Sequence, residues 1–508
     1  MKWKGKQKTP VRDGSADEVP EIQELDPHGA RAHAREKVLA EKKIPGLVLS
    51  FAIPTMISMM VNALYNIVDR FWIGKMDNGA IAMAGIGITL PLTTIAFSFM
   101  ALIGIGSTAL ISIRLGEKRR EDAESVLGNC AVFSFILGTI IMVLGLLFAE
   151  PLLTLFGASE QTLPFALVYI KILALFNTFN MIQFTMSSVM RGVGHPTWSV
   201  LTQVVGALTN MILDPIFIFK PYQITFAGVR LPIGIGLGMG VKGAAIATVI
   251  AQMVSFAIVL FYYTRGKSPV RLHVRKMRPR LAVLGIISAI GSSSFALQVA
   301  ASLVQIVVNL QLAKRGGDLA VSAMTLVTAI AMFCIMPIIG INQGAQPIIG
   351  YNYGAKNYAR VRSAYFFSVI VASCFTVIDA IVIQMFPVQI ISLFNSDPAL
   401  VAMASKALRS VMFVLPVLGF QIVSANYFQF VGRSFVSLIM TLLRQIILLI
   451  PLYYILPHFW GLDGIWLANP IADTIAFLIT VIVISRELIW LSGKIAQDKI
   501  QYLNAGPE

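Results

Sequence analysis

The chain has 508 residues, a mean hydropathy of +0.77 and only 13% charged residues, a composition that excludes a water-soluble globular domain. Apolar runs of about 20 residues or more, the length a helix needs to cross the hydrocarbon core, recur along most of it. The formal net charge of +15 sits in particular loops, which excludes a nucleic-acid surface and points to a polytopic membrane protein.

Residues 1–43 are polar, dense in both charge signs and without apolar period or signal-peptide pattern. They read as a mostly disordered tail, helical over RAHAREKVLAEKK, either a solvated tether or a regulatory segment. Twelve predicted spans follow, near 44–74, 83–113, 123–149, 163–190, 196–219, 240–264, 281–311, 319–349, 361–386, 401–430, 435–456 and 463–488. Several exceed the minimum length, so tilt is expected. Lys and Arg cluster in alternate loops: the tail, RLGEKRRED (114–122), Arg191, RGKSPVRLHVRKMRPR (265–280), GAKNYARVR (354–362), Arg433 and after Arg486. By the positive-inside rule both termini are cytoplasmic, and an even number of spans agrees. Cys130, Cys334 and Cys374 all lie in apolar runs and read as small core residues.

The halves repeat. GSTALISIRLGEK (106–118) lines up with GAQPIIGYNYGAK (344–356), and GVGHPTWSVL (192–201) with FVGRSFVSLI (430–439) at the same offset. GAAIATVIAQ (243–252) lines up with GIWLANPIAD (464–473). The fold class is therefore all-α, with twelve transmembrane helices in two six-helix bundles related by a pseudo-two-fold axis along the membrane normal. The expected divisions are the tail (1–43), an N-lobe (44–264), a basic linker (265–280), a C-lobe (281–488) and a cytoplasmic C-terminal tail (489–508). An internal repeat of this kind argues for a transporter.

Acids inside spans are costly and mark functional sites. Asp69 lies in VNALYNIVDRFWIG (61–74), with Tyr65 one turn before it and Pro54 further back, where it removes a helix hydrogen bond and bends the segment. Asp69 either titrates in a site or caps the outer end of its helix beside Arg70. Asp214 lies in TQVVGALTNMILDPIFIF (202–219), on the same helix face as Asn210. The repeat does not copy these acids: the match to Asp69 falls within 307–309, and the match to Asp214 is Leu452. Asp379 and Asp473 are second-rank intramembrane acids. Asp473 aligns with the polar Gln252, which favours interhelical hydrogen bonding. The glycine-rich VRLPIGIGLGMGVKG (229–243) lacks phosphate-loop spacing and reads as an outer loop. The 22 Met and 31 Phe suit promiscuous apolar binding, although lipid-facing and core packing account for most of them. No Ser-His-Asp set, His-Glu cluster or CxxC is present, so no catalytic constellation is expected.

With these marks in place, the chain resembles the multidrug and toxic compound extrusion (MATE) family over about residues 44–490. The resemblance rests on Pro54, YNIVDRFWIG, the pattern from Pro91 to Gly116, RGVGHP and LDPIFIF. Within the family it is similar to the DinF subgroup. That resemblance implies a cation-coupling site in the N-lobe: Asp69, Asp214, Asn210, the Thr248 hydroxyl and the Ala244 carbonyl, with Pro54 as bending residue and Tyr65 in the pocket. Asp69, Asn210, Asp214 and Thr248 would hold Na⁺, or the two acids H⁺; the sequence leaves the ion open. The NorM subgroup uses acids of the seventh and tenth spans, and residues 281–311 and 401–430 contain none. The tail is longer than the family usually carries. The expectation is a secondary active antiporter in the cell membrane, not an enzyme. It would work as a monomer without cofactor, exporting lipophilic or cationic small molecules by alternating access. The alternatives are a flippase for a lipid-linked precursor, a membrane enzyme, and a channel or receptor without coupling.

Overall fold

The computed structural model describes residues 38–504, apart from 77, 222–224, 227–228, 231–235, 266–267, 269, 271 and 395–396. The expected disorder of 1–37, the end of the C-terminal tail and part of the 229–243 loop lie outside the described residues. Apolar segments in lipid must satisfy their backbone internally, and helices result almost throughout. The first bundle contains α1 (Ile44–Gly74), α2 (Gly79–Ile88), α3 (Leu90–Gly116), α4 (Arg120–Leu155), α5 (Leu163–Leu175), α6 (Asn177–Gly192), α7 (Pro196–Ile218) and α8 (Val241–Thr264). A short antiparallel ribbon, β1 (Thr225–Phe226) and β2 (Val229–Arg230), joins α7 to α8. The second bundle contains α9 (Leu281–Gly317), α10 (Leu319–Gly354), α11 (Tyr358–Met385), α12 (Pro387–Ser392), α13 (Pro398–Val411) and α14 (Leu415–Phe430). It closes with α15 (Ser434–Leu442), a π-helical segment (Leu443–Leu449) and α16 (Ile450–Asn504).

Nine helical stretches among the described residues are long and apolar enough to cross a membrane, and two bent pairs raise this to eleven. The stretch Ser434–Gln497 turns at Gly461 (φ 54°), which divides it into the last two spans and gives twelve. Two differences from the sequence reading stand out. The fourth and tenth spans are not single rods: α5 meets α6 at 57° and α13 meets α14 at 51°. The expected outer loops near 311–319 and 457–463 contract to single left-handed glycines, Gly317 (φ 62°) and Gly461, a conformation that residues with a Cβ seldom adopt. Cys130 and Cys334 are buried as expected, but Cys374 is exposed on α11.

The two bundles are joined at one end and separate at the other. Side chains from the basic-loop ends of both bundles merge into one buried core, among them Leu47, Ile111, Leu127, Ile341, Tyr365 and Tyr427. The opposite ends keep separate cores, one around Trp72, Tyr169 and Ala244, the other around Leu312, Leu408 and Trp466. The joint is built from glycine. A Cβ on Gly106 would stand 2.2 Å from the Ile287 carbonyl oxygen, and one on Gly291 would stand 1.9 Å from that of Leu102. Gly116 and Gly354 meet in the same reciprocal way, against the carbonyls of Tyr351 (1.9 Å) and Ile113 (2.1 Å). α1 is clamped to α10 at Gly340 and Gly344, with the Thr55 hydroxyl donating to the Gly340 carbonyl at 2.7 Å. The chain before α1 adds to this end: Leu39 is buried, and Arg360 donates to the carbonyls of Leu39 (3.0 Å) and Lys42 (2.8 Å). The repeat reaches into the loops, where Lys118 (φ 57°) and its counterpart Lys356 (φ 58°) share a left-handed backbone. The basic linker is pinned to the first bundle by the ion pair of Lys276 with Glu124 (2.6 Å).

Candidate cation-coupling site

α7 and α8 form a tight antiparallel pair, because small residues let them approach. A Cβ on Gly206 would stand 2.2 Å from the Ser255 hydroxyl, and one on Gly243 2.4 Å from the Phe217 carbonyl. This brings the polar faces of the two helices together between those two contacts. Asn210 donates both of its amide N–H groups, to Asp214 Oδ1 (3.1 Å) and to Thr248 Oγ1 (3.2 Å). Thr248 in turn donates its hydroxyl to the Ala244 carbonyl at 3.0 Å. Asp214 is fully buried and Asn210 and Thr248 nearly so.

α1 brings Asp69 to this cluster. It is 8% exposed, and its carboxyl is a direct neighbour of that of Asp214. Arg70, the next residue, is exposed, and its charge acts on Asp69. Asp69 thus lies beside both Arg70, which the cap reading invokes, and Asp214, which the shared-site reading invokes. Tyr65, half-buried one turn earlier, faces both acids and Thr248. Apolar packing closes the side away from the joint: Trp72 stands edge-on to Phe219 (5.9 Å between centroids), beside Ile218 and Val241.

Three buried acceptor oxygens in this cluster, Asp69 Oδ1, Asn210 Oδ1 and Asp214 Oδ2, receive no hydrogen bond. Buried acceptors of this kind are costly unless a donor or cation meets them. Two carboxyls in contact at low dielectric resist joint ionisation, so a proton or a small cation between them relieves both. Carboxylate, amide, hydroxyl and backbone oxygens are the donors that hard cations accept. The residues thus fit a monovalent ion or a proton. Among the described residues no group of three or more His, Cys, Asp or Glu is gathered as a multivalent metal would need.

Tyr169 of α5 was missed by the sequence reading. It is buried and lies beside Asp69, Tyr65, Asp214 and Thr248. A tyrosine in an apolar run carries no charge to mark it; its phenol oxygen, which usually requires a partner when buried, was the available signal. Pro54 is not in the pocket. It sits about 22 Å further down α1 at 1.5 Å per residue, beside the Thr55–Gly340 clamp, and α1 runs through it as one uninterrupted helix. Asp379 is half-buried on α11 next to Cys334, away from the cluster. Asp473 makes the expected interhelical hydrogen bond, and the bond is also an ion pair: Arg444 donates Nε–H to its Oδ1. The partner was not legible because it lies on the preceding arm, at no helical spacing.

Comparison with known proteins agrees with this architecture. A family model described as MatE matches residues 54–216 and 294–455. The multidrug export protein MepA of Staphylococcus haemolyticus is 28% identical over 460 residues, covering 90% of this chain and 96% of that protein. The MATE multidrug transporter DinF-BH, solved as a complex, is 37% identical, with a TM-score of 0.80 over 88% of this chain and 96% of that one. A structure described as the outward-facing conformation of a multidrug resistance MATE family transporter of the MOP superfamily is 25% identical. Its TM-score is 0.80 over 90% of this chain and 98% of that one.

Proposed function

This chain belongs to the MatE family, and from that premise we propose that it is a secondary active multidrug exporter driven by a cation exchanged at Asp69 and Asp214. The observation that carries the reading is the pair of neighbouring, buried carboxyls which, with Asn210, leave three acceptor oxygens unmet. The relatives' names support export of many drugs, a cargo we take to be lipophilic and cationic small molecules, and the identity to DinF-BH supports the DinF-like subgroup.

The basic loops lie on the joined end of the molecule, so if they face the cytoplasm in the cell membrane this arrangement is open to the outside. An incoming H⁺ or Na⁺ then reaches the acids from the open side. Ion binding removes the repulsion between Asp69 and Asp214 and draws α1 toward α7 and α8. A cargo molecule that binds better before that movement than after it is released as the ion loads. This differential affinity is what coupling requires. The flippase alternative needs several basic side chains to grip pyrophosphate. Of the two that stand out within the spans, Arg444 is paired with Asp473 and Lys171 is exposed.

The test is efflux of a fluorescent cationic dye from proteoliposomes under an imposed pH gradient or, separately, a Na⁺ gradient. Asp69→Asn and Asp214→Asn keep shape and hydrogen bonding but cannot bind and release a proton or balance Na⁺. Both are expected to reach the membrane in normal amount, retain part of their dye binding and lose gradient-driven efflux. Wild-type rates in Asp69→Asn would return that residue to a structural role. The gradient that drives the wild type names the ion.

A further inference from the structure

The second bundle carries a polar cluster on the helices that correspond to α7 and α8. In the repeat register Asn469 falls on Thr248 and Asp473 on Gln252, one turn further along the same helix. Asn469 donates Nδ2–H to the Tyr453 hydroxyl at 2.6 Å. Tyr453 is 1% exposed and neighbours both Arg444 and Asp473. Asp473 is 3% exposed and is met by the Arg444 guanidinium, which rises from the π-helical segment. That segment is itself a departure from regular helix of the kind found mostly at functional positions. Arg444 stands where the first bundle has Gly206, the residue that lets α7 press against Ser255.

The two clusters differ in one respect. The first holds two acids, no ion-paired base and three fully buried acceptor oxygens without a hydrogen bond; the second holds one acid paired with one base, and among the described residues none of its fully buried side-chain polar atoms lacks a partner. We propose that Arg444 is a tethered cation, filling in the second bundle the role that an exchangeable ion plays in the first. The second bundle is then neutral at all stages of transport, takes up no coupling ion, and leaves the ion-to-drug ratio to Asp69 and Asp214 alone. This rests on the coupling role given above to the first bundle. It follows that Arg444 determines how many ions the protein binds: without it, a buried and unpaired Asp473 has to recruit a proton or Na⁺ in its place. The titratable or charged groups facing Asp473 among the described residues are Arg444 and Tyr453.

The experiment uses the full-length protein. Ion occupancy is read as ²²Na⁺ bound in detergent and, in Na⁺-free medium, as the infrared band of protonated carboxyl groups. The ion-to-dye ratio is read in proteoliposomes. Arg444→Gln is expected to gain roughly one bound ion or protonated carboxyl per molecule over wild type. The neutral double variant Arg444→Gln/Asp473→Asn is expected to return to the wild-type count and to keep the wild-type ion-to-dye ratio. A folded Arg444→Gln with no added occupancy overturns the proposal. So does a changed ratio in the double variant, which remains informative if the single variant does not fold. Asp214→Asn serves as the separate control. If it keeps the full wild-type ion count, the coupling site of the first bundle is wrong, whereas the difference between Arg444→Gln and wild type still reports on the second.

Discussion

At the scale of single residues, polar groups inside apolar spans were legible because the bilayer makes each of them conspicuous. Asp69, Asn210 and Asp214 were found this way and Thr248 through the family resemblance, and the structure brings the four into one cluster. The same logic failed for Tyr169, whose ring disguises its hydroxyl, and for the pairing of Asp473, whose counter-charge is distant in sequence. Thr248 offers a graded test of the cluster. Its hydroxyl accepts from Asn210 and donates to Ala244. Thr248→Val leaves an Asn210 N–H unmet, at a cost of about 1–3 kcal/mol, and deletes one oxygen from the site. The half-saturating ion concentration for dye efflux should rise on the order of tenfold, the equivalent of about 1.4 kcal/mol, while the maximal rate changes less. An unmoved half-saturation point would place the hydroxyl outside the ion's reach.

Among elements, α1 connects the site to the joint between bundles. Its C-terminal half carries Tyr65 and Asp69, and its N-terminal half is locked to α10 through Thr55, Gly340 and Gly344. Pro54 lies at the start of that lock and leaves the Ser50 carbonyl without its helical donor. The sequence located this weak point, although the helix is uninterrupted here. The bends at 57° and 51° were invisible in the sequence, since apolar composition alone does not distinguish one long helix from two short ones. The α12 segment and the π-helical turn were hidden for the same reason. Pro54→Ala restores the missing donor and favours a continuous α1 by up to about 3 kcal/mol. If transport requires α1 to flex there, the variant should show higher thermal stability and efflux slower by on the order of tenfold. Equal turnover with raised stability would mean that the proline is dispensable to the cycle.

For the molecule as a whole, the twelve-span, two-bundle plan was readable from loop charge and repeat, because both act over long stretches and tolerate errors at each edge. Which end is joined was not readable, since it depends on contacts between helices far apart in the chain. The reciprocal pair Gly116 and Gly354 gives a direct handle on it. A methyl on either would collide with a backbone carbonyl, at 1.9 Å and 2.1 Å respectively. Gly116→Ala and Gly354→Ala should therefore wedge the joint. Spin labels at Glu117 and Ala355 would report longer and broader distances than in wild type, and efflux would fall because the closed arrangement is lost. An unchanged distance distribution in a folded variant would show that the helices slide past the added methyl.

The glycine joint also sets how the molecule comes apart. Where Gly106, Gly291, Gly116 and Gly354 meet, main chain lies against main chain, so shutting the joint immobilises few side chains and opening it releases few. Side-chain ordering, which costs up to about 2 kcal/mol for a long residue, is nearly absent from that part of the contact. Adhesion there comes from close dispersion contacts and Cα–H···O approaches, forces that ions in solution do not screen. The joint is thus closely packed and reversible, closing and reopening without a large entropic toll and with little response to the salt content of the surrounding solution.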